Sequence, residues 1–383
     1  MFEDELDKLE RLNLLRSLKI IDTAQSSRVT INGREVILLS SNNYLGLANH
    51  PKLKKAAIEA VKEYGVGSGA SRLISGNMRL HEELEERIAR FKKTESALIF
   101  NSGYTANTGI IPAIVGEGDV IFSDELNHAS IIDGCRLSKA EIKVYPHKDV
   151  NFLEDILKKE NRTNKRLIIT DSVFSMDGDI APLLELYRIA ERYSAMLMVD
   201  EAHATGVLGD SGRGAVEYLG LEGKRIIQMG TLSKALGCFG GYIAGEKNLI
   251  RYLVNRARSF IYTTSLPPSV VASAIAAFDV IEEDPSIIRR LWRNRRLYVE
   301  GLKNLDMDIG ETETPIVPIM VSKPDEAVVF AESLFERGIY APAIRPPTVP
   351  SGKSRIRTTI TAEHTEEDIK EALSIIEEVI KGI

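Results

Sequence analysis

Reactive side chains recur in this sequence directly behind short apolar runs. After "SALIF" come Asn101, Ser102, Gly103 and Tyr104; after "DVIFS" comes "DELNHAS" with His128; after "RLIIT" comes "DSVFSMDGD" with Ser175. "AMLMV" is followed by "DEAH" with Asp200 and His203, and "RIIQMG" by "TLSKALGCFGG" with Thr231 and Lys234. A lysine ammonium is costly to bury, yet Lys234 sits among small, mostly uncharged residues. Each group alone has an ordinary reading. A strand-end Asp caps a helix, a lone His is a satisfied structural group, "NSGY" is a turn, and a lysine snorkels to water. If the apolar runs are strands of one parallel sheet, however, all these groups meet at the rim beyond its carboxyl ends, where ligands bind. Separate ordinary readings do not account for that set.

Together the groups fit pyridoxal 5'-phosphate (PLP). An amine that attacks an aldehyde must be unprotonated, and free lysine has a pKa of ~10.4. Apolar, small-residue surroundings disfavour the ammonium and leave room for a flat ring, which makes Lys234 a Schiff-base lysine. A carboxylate at the ring nitrogen keeps it protonated and electron-withdrawing, and Asp200, ending an apolar strand, suits that role. The phosphate needs N–H donors at a helix start plus hydroxyls, available from Gly103, Tyr104 and Thr231. His128 offers a stacking face, and His203 a donor to the ring's phenolic oxygen.

Positioning such groups requires strand-helix alternation. The chain opens on "MFEDELDKLERLNLLRSL", a charged amphipathic helix pattern, followed by "RVTINGREVILL", two alternating runs joined by Asn32-Gly33, a hairpin signal. From Pro51 amphipathic segments such as "LHEELEERIARF", with Leu80, Leu84, Ile88 and Phe91 on one face, alternate with seven short apolar strands, "GGYIAG" the last. That reads as an α/β fold with a mostly parallel sheet sheathed by helices. After "TTSLPPS" long helices from about Val270 to Leu305 and a few strands read as a smaller α+β unit. The boundaries expected are 1–47 for an N-terminal arm, 48–280 for a large domain and 281–383 for a small one.

Composition narrows the partners. A net charge of −6 over 383 residues argues against nucleic acid and anionic membranes. Cys135 and Cys238 lie far apart, in keeping with a reducing cytoplasm and with no disulfide framework. No stretch approaches the ~20 apolar residues of a membrane span. "HEELEER" has one His where a zinc-protease helix needs two, so no metal is expected. "DEAH" prompts a nucleotide-binding reading, but the "GKS" at Gly352 to Ser354 has Pro347 where a phosphate loop needs its first glycine. "GVGSG" follows a helical pattern rather than a strand, and "GDSGR" reads as a surface turn.

The motifs "SNNYLGL", "GSGASRLISGN", "HASIIDG", "SVFSMDGD", "VDEAHATGVLG" and "TLSKALGCFG" stand in the order found in the α-oxoamine synthase branch of the class II PLP-dependent aminotransferase-like family. The chain resembles that branch over essentially its whole length. The resemblance implies PLP-dependent transferase fold type I, with a seven-stranded cofactor domain, and a homodimer with active sites at the subunit interface. It implies the same roles for Lys234, Asp200, His203, His128, Gly103, Tyr104 and Thr231. It adds Ser175 as a cofactor contact, and Thr263 and Thr264 in "YTTS" as the pair reaching the partner subunit's phosphate.

Branch members differ in amino acid and acyl thioester. "AIRPPTVPSGKSRIR" resembles the members that condense L-alanine with a pimeloyl thioester, on CoA or acyl carrier protein, in biotin biosynthesis. Arg345 would grip the amino-acid carboxylate with a bidentate fork, Thr348 would assist, and Arg16, on the opening helix, would lie near the substrate. "SNNYLGLANHP" and "NHASIIDGCRLSKA" equally resemble members that use glycine and acetyl-CoA (glycine C-acetyltransferase). A plain aminotransferase is more distant, because "GCFGGYIAG" lacks the phosphate-holding arginine such enzymes commonly carry after the lysine.

Overall fold

The computed structural model describes residues 2–11, 14–160 and 164–382. Its contacts divide the chain into two compact units: Met1–Asn49 with Met176–Asp179 and Arg289–Ile383, and His50–Ser175 with Ile180–Ile288.

In the first unit, β1 (Arg28–Ile31) and β2 (Arg34–Leu38) form an antiparallel hairpin in which Ile31 pairs with Arg34. The turn residues Asn32 and Gly33 have φ of 51° and 77°, the left-handed pair that a two-residue hairpin loop requires. The alternation in "RVTI" buries Val29 and Ile31 against Val36 and Leu38.

The second unit is built on seven strands: β3 (Ser96–Phe100), β4 (Val120–Asp124), β5 (Glu141–Tyr145), β6 (Arg166–Asp171), β7 (Met196–Asp200), β8 (Ile226–Thr231) and β9 (Gly241–Gly245). They lie in the order β3-β9-β8-β7-β6-β4-β5. β9 pairs antiparallel with both β3 and β8, whereas the pairs from β8 across to β5 are parallel. Apart from the exposed edge strand β5, the strands read as near-continuous apolar runs because both faces are covered, as parallel sheets require. Leu98, Ile121, Leu167, Ile169, Met198 and Ile243 face one core with Ile110 and Ile111 of the helix Gly103–Ile114. In the helix Arg79–Phe91, Leu84, Ile88 and Phe91 are at most 3% exposed, about 1.5–3 kcal/mol each by area removed from water.

The first unit resumes with β10 (Ile316–Ser322), β11 (Ile339–Tyr340), β12 (Ala343–Ile344) and β13 (Ser354–Thr359). β11 joins the hairpin through a parallel pairing with β2, and β10-β13-β12 form an antiparallel sheet. Val317, Ile319 and Ile356 pack against Ile369, Ala372 and Ile376 of the helix Glu366–Gly382. One expectation is corrected here. The opening helix spans Phe2–Arg11 only, and Arg16 stands in irregular chain beyond it. None of that helix's residues is buried, so nothing rewards its continuation past its own turns.

Candidate active site

In the second unit, the carboxyl ends of the parallel strands present Asp171 on β6, Asp200 on β7 and Thr231 on β8. Asp171 and Asp200 are register partners, so two carboxylates leave the sheet side by side. Asp200 is 3% exposed; its Oδ1 accepts the Ala202 N–H (2.9 Å) and its Oδ2 accepts from Asn107 Nδ2 (2.9 Å). The Asp171 Oδ2 accepts the His128 backbone N–H at 2.7 Å. Burial, and then the Asp200 charge beside it, push the Asp171 pKa well above the usual carboxylate range.

His128 caps the helix Ala129–Ser138, where its Nδ1 accepts the Ser130 N–H (3.3 Å) and stands 2.8 Å from Ser130 Oγ. Burial lowers its pKa, with Asp200 opposing and Lys234 adding to the shift. His128 thus feels the charges of both Asp200 and Lys234. Lys234 lies in the turn between β8 and β9, partly buried, and its charge also acts on Asp171. His203, 6% exposed, sits in the turns that follow Asp200. Ser175 lies four residues past the end of β6 and is half-buried.

The helix start beside this group is preformed. Ser102 Oγ accepts the Thr105 N–H (3.1 Å) and the Ser102 carbonyl accepts that of Ala106 (3.0 Å). The N–H groups of Gly103 and Tyr104 precede these bonds, and a helix offers its first N–H groups no internal acceptor. Gly103 faces Thr231, whose Cβ would stand 3.7 Å from a Cβ built on Gly103. Gly241 lies tighter still: a Cβ there would meet the Ser102 carbonyl oxygen at 2.6 Å and the Gly103 N at 2.7 Å. Thr231 Oγ1 is fixed by donating to the Gly240 carbonyl at 2.7 Å. The Tyr104 ring is half exposed and its phenol donates to Asp133, which raises the phenol pKa. Thr263 and Thr264 are tied to the same end of β3: Asn101 Nδ2 donates to Thr263 Oγ1 (3.2 Å) and to the Thr264 carbonyl (2.9 Å).

These features fit a flat anionic cofactor. A bare helix start with a hydroxyl beside it suits a phosphate, a carboxylate with both oxygens already oriented suits a ring nitrogen, and glycines leave the space. A cavity of about 650 Å³ also opens at the other end of this sheet, lined in part by Met196, Ile226 and Gly245. Its Arg225 and Lys93 are paired with Glu246 and Glu222. Its lining includes no imidazole, unlike the carboxyl-end rim.

In the first unit, Arg16 Nη2 donates to Thr348 Oγ1 at 3.3 Å across 332 residues of sequence. The Thr348 N–H donates to the Arg345 carbonyl (3.0 Å), which makes "RPPT" a closed turn with a cis Pro346–Pro347 bond. Arg16, Thr348 and the Arg345 backbone, three positions that the resemblance assigns to the substrate, are therefore linked by hydrogen bonds. Among functional groups the sequence reading did not single out, Asp171 stood inside a quoted motif. Asn107 and Ser130 gave no signal, being a lone amide in an apolar helix and a helix-start hydroxyl. The sequence oddities resolve as structure: His81 of "HEELEER" is buried with its Nε2 2.9 Å from the Leu266 carbonyl, and Ser211 of "GDSGR" sits in a turn held by Glu217.

Comparison with known proteins agrees with this geometry. Residues 34–376 match the family described as aminotransferase class I and II. The 8-amino-7-oxononanoate synthase of Thermoanaerobacter pseudethanolicus is 51% identical over 382 residues, covering 100% of this chain and 97% of that protein. Among solved structures, the serine palmitoyltransferase of S. paucimobilis with a bound PLP–myriocin aldimine superposes with a TM-score of 0.95. It is 34% identical, over 100% of this chain and 97% of that one. The 8-amino-7-oxononanoate synthase of Francisella tularensis superposes with a TM-score of 0.78 at 30% identity, over 91% of this chain and 98% of that one.

Proposed function

The chain belongs to the class I and II aminotransferase family, and we propose that it condenses L-alanine with a pimeloyl thioester. The products are 8-amino-7-oxononanoate, CO2 and free thiol, a step of biotin biosynthesis. The 51% identity over the whole chain to a relative named for that product carries this reading. The fold is that of PLP-dependent transferases and the enzyme is a PLP-dependent acyltransferase.

PLP, when bound, supplies an electron sink that eases loss of the Cα proton and of the carboxylate. The chain's residues do the rest. Lys234 is the residue that would hold the cofactor aldehyde, and its amine would serve as general base for the Cα proton. Asp200, oriented by Asn107 and Ala202, keeps the ring nitrogen protonated. His128 supplies a stacking face, and His203 a donor to the ring oxygen. The helix start at Gly103 and Tyr104, with Thr231 beside it, binds the phosphate, and Ser175 is a further contact. Arg345 forks onto the alanine carboxylate, with Thr348 and Arg16 beside it, a grouping supported by the Arg16–Thr348 hydrogen bond. In this reading residues 48–280 form the cofactor domain, 281–383 the small domain and 1–47 the arm.

We take the working form to be a cytoplasmic homodimer. Large apolar side chains such as Ile74 (81% exposed), Val66 and Tyr262 stand in solvent in the single chain, which supports a covering partner. Thr264 is exposed, which supports a reach of its hydroxyl toward the partner subunit's phosphate. Among the described residues no helix is long and apolar enough to cross a membrane.

A second reading, condensation of serine with a longer acyl thioester, draws on the higher TM-score to serine palmitoyltransferase. Backbone likeness extends to both kinds of enzyme, so identity weighs more. One panel separates the readings: alanine, glycine or serine against pimeloyl-, acetyl-, succinyl- and palmitoyl-thioesters, scoring thiol and CO2 release. We expect the alanine–pimeloyl pair to give the highest kcat/KM. A higher value for glycine with acetyl-CoA or serine with palmitoyl-CoA would overturn the assignment, and keto-acid formation without thiol release would mean an aminotransferase.

A further inference from the structure

A chain of hydrogen bonds joins the groups assigned to the face and to the nitrogen of the cofactor ring, and it runs through Asn107, so far described only as a partner of Asp200. Asn107 is fully buried in the second turn of the helix Gly103–Ile114. Its Nδ2 has two protons and two acceptors: Asp200 Oδ2 at 2.9 Å and Ser130 Oγ at 2.9 Å. The assignment of the amide is forced, because turning it over would set Oδ1 against a carboxylate oxygen. Ser130 Oγ, having accepted from Asn107, stands 2.8 Å from His128 Nδ1. The Ser130 backbone N–H also aims at that same Nδ1. A proton on Nδ1 would face an N–H head-on, so Nδ1 is the acceptor and the ring proton resides on Nε2.

One further observation indicates that this arrangement serves function. Asn107 Oδ1 is buried with no hydrogen-bond partner, a penalty that an apolar residue of the same size would avoid.

We propose that Asn107 is a positioning residue of the active site, coupling the Asp200 carboxylate through Ser130 to His128 and holding that imidazole neutral with its proton on Nε2. The charged groups that act on the ring are Asp200, Lys234 and Asp171, the last through the His128 backbone. A neutral ring stacks against a protonated ring nitrogen without like-charge repulsion, and an aimed carboxylate meets that nitrogen without reorganising. The proposal rests on the PLP reading, and its test separates the two.

The test uses nitrogen-15 NMR of His128 in the full-length protein, with PLP and without, together with PLP affinity from visible absorbance. Wild type should show the Nε2–H tautomer in both states. Ser130→Ala removes the side-chain arm but leaves the Ser130 N–H on Nδ1, so the Nε2–H preference should weaken without reversing, with PLP affinity changed less than 3-fold. Asn107→Leu cuts both arms: the tautomer should relax and PLP affinity should fall roughly 10–100-fold, the size of a lost hydrogen bond to a charge. Asn107→Asp should bind PLP worst where both carboxyls are ionised and recover as pH falls. An Nδ1–H tautomer in wild type, or an unchanged tautomer preference in Ser130→Ala, would overturn the proposal. Should Asn107→Leu fail to fold, the Ser130→Ala spectrum decides alone. A wild-type protein that takes up no PLP would instead sink the cofactor reading, while the tautomer measurement would still report on the bridge.

Discussion

The turn carrying His203 is held by one buried ion pair, and breaking that pair is the sharpest stability test available. Lys92 and Glu201 side chains are 1% and 0% exposed and in direct contact, and Lys92 Nζ also donates to the Arg213 carbonyl. The other Glu201 oxygen accepts the Val216 N–H at 2.9 Å, and the Glu201 carbonyl accepts those of Ala204 and Thr205. Gly214, at φ 113°, makes room, since a Cβ there would meet Glu201 Oε2 at 1.9 Å. Lys92→Met keeps the packing but strands a carboxylate in a dry site, at a cost of about 3–5 kcal/mol. With about 2 cal/mol/K of unfolding entropy per residue, 383 residues turn ~4 kcal/mol into a Tm loss of roughly 5 °C. Glu201→Gln should cost somewhat less, and the double variant Lys92→Met/Glu201→Gln should fall at least ~2 kcal/mol short of the sum of the singles. Burial pushes the Lys92 ammonium toward neutrality, but Glu201 and Tyr242 outweigh it and leave its pKa above the usual lysine value. The lysine's part in this contribution is therefore fully present below about pH 10 and is lost as pH rises through its folded pKa. Denaturant titrations at pH 6 and pH 8 should give the same difference between wild type and Lys92→Met. A single-variant loss under ~1 kcal/mol, or additive singles, would refute the reasoning.

Three other perturbations report on separate parts of the molecule. Gly241→Ala drives a methyl into the backbone that opens the phosphate-side helix, so PLP affinity should fall at least 10-fold, with about 1–3 kcal/mol of stability lost to overpacking; unchanged affinity by absorbance titration would contradict that. Glu363, packed over Gly46, has its carboxyl pKa pushed up by burial to about 7. The folded state then holds the proton more tightly than the unfolded one, so stability falls as pH rises from about 4.5 to about 7. At about 1.4 kcal/mol per pKa unit the ceiling is about 3 kcal/mol, and screening at this half-buried site brings it to ~1 kcal/mol. Glu363→Gln should thus stabilise at pH 8 and do nothing at pH 4.5. Arg345→Lys loses the bidentate fork and should raise the alanine KM roughly 10-fold with less effect on the thioester KM; an unchanged alanine KM would remove Arg345 from the substrate site.

Much of this site was readable because strand ends advertise themselves. An apolar run followed by Asp200, His128 or Thr231 implies a direction, a rim and a chemistry, and the seven strands fall where those runs stand. The substrate-side cluster was readable only through the motif, since nothing in spacing joins Arg16 to Thr348. Asn107 was invisible because its partners come from two other elements, and in sequence it is one polar residue in an apolar helix. The Lys92–Glu201 pair was hidden similarly: the Glu of "DEAH" gives no hint of a lysine 109 residues earlier. The opening helix was overextended because its pattern continues past Arg11, and periodicity reports only the capacity for an apolar face. Whether a core exists to receive that face is a tertiary question.

The most direct test of the account is where the cofactor attaches. Purified protein saturated with PLP, reduced with borohydride, digested and mapped by mass spectrometry should carry the pyridoxyl group on the peptide containing Lys234, and Lys234→Ala should carry none. A pyridoxyl group on another lysine, or an unmodified Lys234 peptide from PLP-saturated wild type, would contradict it.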